Sequence, residues 1–437
     1  MTKKYDVLTY RIPIIKPVST DWKTFGKISG DLIYNAIRIM NVAIRMHYVN
    51  IQEKYDYERD NGRISSRDWC MERYGVATFT TVINRTIKEQ EESELIPGDL
   101  VERIARQAID IFNTNSREVL ANNASLPNFR RDQPIPVRAR SLGLTEDYTI
   151  FLPFMTRELA KEYGFKGRRM QSFEVQLGTK GNAKTILDRI LNGTYIACDS
   201  KVQRTMDGKW FLLLTYKQPR KERKIDADKI MGIDLGIVNA ATIAIAGERK
   251  IYEIKGGEIT NFRRRIEGRR KSIQNQLPVS SHNRRGHGRK TLLKPLETLS
   301  RKVENFKDTV NHRYSRYIVD LAVKYGVGTI QIEDLTGISK RDSFLATWSY
   351  FDLQTKIEYK AKMEGIEVVK VNPRYTSQRC FKCGVIDEDS RQSQASFECS
   401  TCGHKRNADY NAAENLTIKD IDEIIDEQLK YQRKASA

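Results

Sequence analysis

The hydrophobic positions in the first third of the chain follow two different periods. Residues 5–15 alternate between apolar and polar side chains, which predicts a β-strand. The apolar residues of the stretches 25–47 and 101–112 instead recur every three or four positions, which predicts helices that bury one face. We therefore expect a first strand within residues 1–19 and a helical domain at residues 20–124.

Short alternating runs separated by turn residues follow at residues 125–220. They predict a series of strands and a small β-barrel, which the strand within residues 1–19 can complete. Asp207 and Gly208, between two of these runs, are typical of a hairpin turn. The polar and charged stretch 221–228 predicts a linker to the second half of the chain.

From residue 229 onward, three short apolar runs precede a long helical stripe and then an alternation of strand, helix, strand and helix. Antiparallel strands first and crossover connections afterwards are the order of an RNase H-like domain. A cysteine-rich segment, residues 376–405, interrupts this order. The domain then consists of residues 229–375 and of a last helix and tail at residues 406–437. The whole chain is thus predicted to be a multidomain α+β protein.

The composition favours a protein that binds nucleic acid. The 437 residues carry a formal charge of +19 and a pI near 9.5. Such an excess attracts polyanions, although a basic surface can also serve solubility. The sequence has no apolar run of the length of a membrane span, and its N-terminus lacks the apolar segment of a signal peptide. We therefore expect a cytoplasmic protein without membrane contact.

Positive charge is concentrated between Asn261 and Lys294, a stretch with eleven Lys or Arg residues and one acidic residue, Glu267. Gly, Pro and Ser residues interrupt its second part, so we expect a flexible basic loop there rather than a helix. Such a loop suits a phosphate backbone. The candidate nucleic-acid contacts of this stretch are Arg263, Arg264, Arg265, Arg269, Arg270, Arg284, Arg285 and Arg289.

Three carboxylates occupy the ends of predicted elements in the second half: Asp234 in the first strand, Glu333 at the end of the fourth and Asp409 in the first turn of the last helix. Each alone has an ordinary explanation as a surface charge, a helix cap or a complement to the helix dipole. In an RNase H-like order the three ends converge. Clustered carboxylates suit two Mg²⁺ ions that hydrolyse a phosphodiester, with Mn²⁺ able to replace Mg²⁺. We therefore predict the catalytic acids of a nuclease. The sugar-kinase and actin-like ATPases share this core, but they need a second phosphate-binding hairpin, which we do not find in the sequence.

Four cysteines have the spacing of a zinc site, Cys380-x₂-Cys383-x₁₅-Cys399-x₂-Cys402. Two such pairs suit tetrahedral Zn²⁺, and the glycine after each pair allows the tight turn that a metal knuckle needs. Two disulfides are the alternative, and iron can occupy such a site in some preparations. Because the cysteines precede Asp409 so closely, we expect zinc to support the geometry of that carboxylate.

Several motifs of the second half resemble the RuvC nuclease domain of miniature type V CRISPR effectors, most of all the type V-F group and more distantly the transposon-encoded TnpB nucleases. The resemblance covers residues 229–420, whereas the first half agrees only in length and element order. The motifs are GIDLG (232–236), KGGEITNFRRRIEGRR (255–270), NHRYSRYIVD (311–320), IQIEDLTG (330–337), YTSQRCFKCG (375–384) and NADYNAAENL (407–416).

This resemblance implies an RNA-guided DNA endonuclease with guide RNA and duplex target DNA as its partners. Such an enzyme cleaves double-stranded DNA beside a short adjacent motif in one RuvC site and, once activated, cuts single-stranded DNA nonspecifically. The resemblance also implies that Asp234, Glu333 and Asp409 are the RuvC acids and that residues 376–405 form a zinc ribbon for target nucleic acid. The barrel is then wedge-type, with the helical domain inserted for recognition.

The small size of the chain leads us to expect a homodimer as well. A 437-residue globule has a radius of gyration of roughly 22 Å, whereas a heteroduplex of about 20 bp is roughly 60 Å long. One subunit can hardly enclose it, and type V-F effectors are thought to place two copies on one guide RNA. The alternatives are a monomeric TnpB-type nuclease with a transposon-derived RNA and a catalytically silent, zinc-stabilised DNA-binding protein.

Overall fold

Two compact units, residues 1–219 and residues 220–437, make up the computed structural model of the chain. Their boundary falls at the start of the predicted linker. The structure describes residues 5–89, 96–130, 133–205, 207–220, 223–236, 238–281, 288–335, 350–393 and 395–435. Within 276–293 and 431–437 this description covers the backbone only.

The helices of the first unit bury the apolar stripes that the sequence predicts. Asp21 accepts the backbone N–H groups of Lys23 and Thr24 and so caps the first and longest of them. The helices are α1 (Trp22–Asn61), α2 (Ser66–Tyr74), α3 (Phe79–Lys88), α4 (Gly98–Thr114), α5 (Ser116–Leu120), α6 (Ala139–Leu142), α7 (Arg157–Glu162) and α8 (Ala183–Leu191). The long helices α1 and α4 pack against each other, and Phe25 and Phe112 are fully buried in the shared core.

The strands of the first unit form one seven-stranded sheet in the order β2-β6-β7-β1-β4-β3, with β5 beside β7. They are β1 (Tyr5–Pro17), β2 (Ile135–Val137), β3 (Thr149–Leu152), β4 (Phe173–Leu177), β5 (Ile196–Ala197), β6 (Ser200–Arg204) and β7 (Trp210–Pro219). The first strand completes the sheet, because it pairs antiparallel with both β7 and β4. A hairpin joins β6 to β7, and Gly208 adopts a φ of +81° in its turn. Among the described strands, β2 and β3 end the path and no pairing closes it into a barrel.

The second unit contains the predicted order of three strands followed by helices alternating with strands. Its elements are β8 (Asp226–Asp234), β9 (Asn239–Ile245), β10 (Tyr252–Lys255), α9 (Gly257–Ser281), α10 (Gly288–Lys324), β11 (Val327–Glu333), α11 (Tyr350–Met363), β12 (Glu367–Val371), β13 (Phe397–Glu398), β14 (Lys405–Arg406), α12 (Ala408–Asn415) and α13 (Ile421–Ala435). Five strands form a mixed sheet in the order β10-β9-β8-β11-β12. The first three are antiparallel, whereas β11 runs parallel to both β8 and β12.

The apolar core of the second unit places its sheet between helices. The sheet residues Met231, Ile243 and Ile332 are fully buried and share one cluster with Ile318 of α10 and Leu353 of α11. Helix α12 packs on β8 and β9 instead. The β8–β11 pair, with α12 beside it, is therefore the rigid frame to which the predicted site residues belong.

Two predictions about connecting segments were wrong. Within 261–294 we expected a loop in the second part, but α9 extends to Ser281 and α10 begins at Gly288, so only 282–287 lie outside the described residues. The Lys, Arg, Gln and Leu residues of this stretch favour a helix, and their sum outweighs single Gly and Pro positions. The predicted linker 221–228 ends in strand β8, because Asp226 donates its N–H to the Gly326 carbonyl (2.8 Å) and pairs beside β11.

No helix within the described ranges is long and apolar enough to cross a membrane.

Candidate active site

Two of the three predicted carboxylates lie side by side because their strands are parallel neighbours. Asp234 is the last residue of β8 and Glu333 is the last residue of β11. The register pairs Ile233 with Ile332, one position before each acid. Parallel strands end at the same edge of a sheet, so both side chains occupy one edge.

The third carboxylate, Asp409, lies in the first turn of α12. The side chain of Asn407 caps this helix, since its Oδ1 accepts the N–H groups of Asp409 (2.9 Å) and Tyr410 (3.3 Å). The helix approaches β8 closely at Gly232, where a Cβ atom would lie 2.3 Å from the carbonyl oxygen of Ala413. Only glycine permits this contact, which places the helix against the strand that ends in Asp234.

The three acids interact electrostatically, as converging side chains must. Burial raises the pKa of Asp234 well above its usual range, and repulsion from Glu333 and Asp409 raises it further. Burial is also the main reason why the pKa values of Glu333 and Asp409 are raised. Glu333 is only 8% exposed, while the other two acids keep part of their surface. The cluster is thus costly in its charged form unless positive charge compensates it.

Arg391 supplies positive charge to the cluster. Its guanidinium lowers the pKa of all three acids, Asp234, Glu333 and Asp409. It belongs to the segment between the two cysteine pairs and follows a short 3-10 turn at Glu388–Ser390. Sequence reasoning missed this residue, because nothing in its neighbours marks it and only the fold brings it to the carboxylates.

Further hydrogen bonds hold the acids in place. The hydroxyl of Thr376 donates to Glu333 Oε1 at 2.7 Å, and the amide of Gln354 donates to the Glu333 backbone carbonyl. Asp409 accepts from Asn239 Nδ2 at 3.3 Å through its Oδ2 atom. The carboxylates of Glu333 and Asp409 are therefore oriented by neighbours on other elements, which is usual for groups that bind a metal ion.

The donor set fits hard divalent cations. Mg²⁺ prefers carboxylate oxygens and keeps several waters, so a few acids suffice to bind it. The three acids therefore offer the kind of oxygen ligands that such a cation needs, from side chains that are buried or half-buried.

The four predicted zinc ligands form a compact cluster, with all four Sγ atoms within 4.8 Å of one another. The Sγ atoms of Cys380 and Cys402 are 3.8 Å apart, and those of Cys383 and Cys399 are 3.5 Å apart. These distances exceed the ~2.05 Å of a disulfide and approach the ~3.8 Å edge of a tetrahedron with Zn–S bonds of ~2.3 Å. The thiols therefore fit a tetrahedral metal ion.

Two glycines in the left-handed region complete the turns of this cluster. Gly384, with φ +79°, donates its N–H to the Cys380 carbonyl at 2.8 Å. Gly403, with φ +63°, donates in the same way to the Cys399 carbonyl at 3.0 Å. Each cysteine pair is therefore closed by the tight turn that the glycine after it was predicted to allow.

The first cysteine turn is hydrogen-bonded to the helix that carries Asp409. Asn411 of α12 accepts the N–H of Phe381 at 3.0 Å and donates to the Arg379 carbonyl at 2.8 Å. Asn415, one turn further, donates to the same carbonyl and to that of Thr376 at 3.1 Å. Both amide side chains are fully buried. The cysteine segment and α12 are therefore one packed unit.

The candidate nucleic-acid contacts divide into described and undescribed residues. Arg264, Arg265, Arg269 and Arg270 are exposed on α9, whereas Arg263 is half-buried and pairs with Glu267 at 2.6 Å. A free guanidinium on an exposed helix face is available to a phosphate, and a paired one less so. Arg284 and Arg285 lie outside the described residues, as does the side chain of Arg289.

Comparisons with known proteins identify the family of this chain. The family model described as "Cas12f1-like, TNB domain" matches residues 350–416, and one described as a probable transposase matches residues 213–339. The CRISPR-associated endodeoxyribonuclease Cas12f1 of Sulfoacidibacillus thermotolerans is 39% identical over 431 residues, which is 97% of this chain and 100% of that protein. Cas12f1 of Syntrophomonas palmitatica is 38% identical over 375 residues, 76% of this chain and 75% of that protein.

A solved cryo-EM structure of a Cas12f1–sgRNA–target DNA complex has the same fold. It matches with a TM-score of 0.68 and covers 95% of this chain and 99% of that chain at 21% sequence identity. Together with the two sequence relatives, these matches define a miniature, TnpB-related CRISPR nuclease. The chain belongs to the Cas12f family of type V-F CRISPR-associated endodeoxyribonucleases.

Proposed function

We propose that this protein is an RNA-guided endonuclease that cleaves double-stranded DNA beside a short adjacent motif. A guide RNA and a target DNA duplex are its partners. Once activated, the complex also cleaves single-stranded DNA nonspecifically. The observation that carries the proposal is the convergence of Asp234, Glu333 and Asp409, with Arg391 beside them, in a chain of the Cas12f family. A catalytically silent binding protein would have no need of this costly cluster.

The domain assignment follows the element order. We assign residues 229–375 and 406–437 to a RuvC domain of the RNase H-like class, since the order β10-β9-β8-β11-β12 supports it. Residues 376–405 are assigned to a zinc ribbon that binds target nucleic acid. Residues 1–19 and 125–220 are assigned to a wedge-type domain, whose described strands form an open sheet in place of the predicted closed barrel, and 20–124 to an inserted helical recognition domain.

Asp234, Glu333 and Asp409 are the residues that hold the catalytic cations, two Mg²⁺ or Mn²⁺ ions. Ions held there would supply the chemistry of two-metal hydrolysis, namely an activated water and stabilisation of the charge on the leaving oxygen of the phosphodiester. The chain itself orients the acids through Thr376 and Asn407. Arg391 reduces the repulsion among the acids and offers a guanidinium to the negative charge of the DNA backbone.

Zinc at Cys380, Cys383, Cys399 and Cys402 supports the same site from a distance. A ribbon of this size folds with its metal, so the two cysteine turns depend on it. The hydrogen bonds from Asn411 and Asn415 to the Arg379 carbonyl transmit this order to α12. Loss of zinc is therefore expected to misplace Asp409.

Two copies of the chain on one guide RNA are the proposed assembly. The argument is the small size of the chain compared with a guide–target heteroduplex. Light scattering on the purified complex gives the mass directly. A mass of two chains for each RNA supports the homodimer, whereas one chain for each RNA contradicts it and favours a TnpB-like monomer.

The central test is cleavage by the Asp234→Ala protein in complex with guide RNA. We expect wild-type cleavage of matched DNA to require Mg²⁺ and the variant to lose it, because a cation ligand is gone. Target binding, measured by gel shift in the absence of cleavage, should persist. Retained cleavage by the variant would refute the assignment of the acids, and binding without any wild-type cleavage would favour the silent binding protein.

A further inference from the structure

Asn239 joins two carboxylates at the edge of the acid cluster. The residue begins β9, is 6% exposed, and donates from Nδ2 to Glu253 Oε1 at 3.2 Å and to Asp409 Oδ2 at 3.3 Å. An amide nitrogen carries two hydrogens, so one can serve each acid. Because ionised carboxylates only accept hydrogen bonds, the amide must present its NH₂ group to them and its orientation is fixed.

Glu253 is itself firmly held. Lys255 Nζ donates to its Oε2 at 2.6 Å, and the hydroxyl of Tyr410 donates to its Oε1 at 3.0 Å. The Lys255 bond is the largest cause that lowers the pKa of Glu253, so this carboxylate stays charged. A charged, immobile acceptor on β10 therefore fixes Asn239, which in turn contacts Asp409.

Stability alone does not explain this arrangement. Two acids that share one amide repel each other, and Glu253 does raise the pKa of Asp409. Among the described residues, the Oδ1 atom of Asn239 has no hydrogen-bond partner although it is buried. A buried carbonyl oxygen without a partner costs about 1–3 kcal/mol, which offsets part of what the two bonds to the acids contribute.

We infer that Asn239 is a positioning residue for cleavage, anchored by Glu253 and Tyr410, which fixes the carboxylate of Asp409 for cation binding. The inference rests on the proposed function, since it presumes that Asp409 binds a catalytic cation. Asn239 occupies only one acceptor direction of Oδ2, and an ionised carboxylate has about four. Glu253 acts through Asn239 and is not itself a ligand.

The test compares Asn239→Ala with the wild type in two measurements. The Mg²⁺ concentration for half-maximal cleavage by the guide-RNA complex should rise about 10- to 100-fold, as is usual when a partner of a metal ligand is lost. Mn²⁺ binding to the full-length protein without RNA, followed by the paramagnetic resonance of free Mn²⁺, should weaken by a similar factor. A drop in cleavage with unchanged dependence on both metals would overturn the inference.

Asn311→Ala is the matched control. Asn311 of α10 is also a buried amide, and it donates at 2.8 Å to the carboxylate of Asp352, which is not one of the three acids. It should lower thermal stability about as much as Asn239→Ala while leaving the metal dependence as in the wild type. An equal shift of the metal dependence in both variants would mean that general destabilisation is the cause.

Tyr410→Phe tests whether the hydrogen bond from Tyr410 anchors Glu253, and it creates no large cavity. It removes only the hydroxyl bound to Glu253, so the half-saturating Mg²⁺ concentration should rise about 2- to 10-fold. Combined with Asn239→Ala, it should add nothing, because the hydroxyl acts through the amide. Fully additive effects would contradict this route.

Glu253→Gln tests whether Glu253 anchors Asn239 or is itself a cation ligand. It keeps an acceptor for Asn239, so cleavage should stay within about 10-fold of the wild type. Loss of cleavage as complete as that of Asp409→Asn would make Glu253 a cation ligand and overturn the inference. If the wild-type complex itself does not cleave, the proposed function fails. If the wild-type complex cleaves and Asn239→Ala leaves cleavage and its metal dependence unchanged, only the inference about Asn239 is refuted.

Discussion

The carboxylate cluster and the cysteine cluster of the second unit both bring acidic side chains close together, but they are assembled differently. Asp234, Glu333 and Asp409 come from two parallel strands and a helix that are distant in the chain. The cysteines come from two pairs within the segment between β12 and α12. The first cluster therefore depends on the packing of the whole unit, and the second depends on two local turns.

The two clusters also differ in how their charge is compensated. At Cys399 the N–H groups of Cys402 and Thr401 outweigh burial and lower the pKa to about 7, whereas burial raises the pKa of Cys380 and raises that of Cys383 to about 12. Among the described residues, no N–H group opposes the repulsion at Asp234, where burial and the neighbouring acids raise the pKa and the charge of Arg391 lowers it. The acid cluster therefore stores repulsion that bound cations would relieve, whereas one thiolate of the cysteine cluster is stabilised by its own backbone.

Glu333→Gln is the substitution for which we expect the largest effect on the acid cluster. The substitution keeps the shape and the bond from Thr376 but removes one charge, so we expect a loss of cleavage of about 10³-fold, several kcal/mol of lost stabilisation in the transition state. The melting temperature of the cation-free protein should stay constant or rise, because a buried like charge is gone. Calorimetry alongside the cleavage assay checks both, and a lower melting temperature would contradict stored repulsion.

Gly232→Ala should reduce cleavage by about 100-fold without changing any ligand. Its Cβ would meet the Ala413 carbonyl oxygen at 2.3 Å, so α12 must shift and carry Asp409 with it. Overpacking of this kind also costs about 1–3 kcal/mol of stability. Gly268→Ala on α9 is the control, since nothing lies within 4 Å of its Cβ, and it should gain about 1 kcal/mol with unchanged cleavage. Equal cleavage by both variants would show that α12 tolerates the shift.

Cys383→Ser should lower cleavage about 10- to 100-fold and release zinc, which elemental analysis detects. The effect reaches the acids through Asn411 and Asn415, so a chelator should act on the wild type in the same way. Unlike Glu333→Gln, this variant should melt at a lower temperature. Full cleavage by a zinc-free protein would show that the two clusters are independent.

Arg391→Ala should have the smallest effect, about 10-fold on cleavage, because it removes a charge that acts on the acids without ligating an ion. Zinc content should not change, although the residue lies between the cysteine pairs. Arg391→Lys keeps the charge and should recover most of the activity. If lysine recovers nothing, the planar guanidinium and not its charge is required.

The sequence predicts the cysteine cluster more directly than the acid cluster, for a physical reason. Two Cys-x₂-Cys pairs with glycines after them define their own turns, so spacing alone predicts the geometry found around Gly384 and Gly403. Asp234, Glu333 and Asp409 had to be placed through the element order, and each alone was ambiguous. Their catalytic role stays a prediction until the variants are measured.

The sequence did not predict the residues that act on the acids from other elements of the fold. Arg391 and Asn239 have no local pattern, because their importance arises from contacts between a segment and a sheet edge. Gly232 was noticed only as part of a motif, and its role becomes visible through the distance to Ala413. The basic stretch shows the opposite error, since isolated Gly and Pro residues suggested a loop where α9 and α10 form.

The distribution of the acids along the chain sets the time at which the enzyme becomes active during its synthesis. A ribosome adds about 5–20 residues each second and releases the N-terminal part first. Asp234 and Glu333 therefore emerge long before Asp409, and roughly 10–35 s separate the first acid from the last. If Asp409 binds a catalytic cation as proposed, a nascent chain cannot cut nucleic acid in this interval, because α12, which packs on Gly232, has not yet been made.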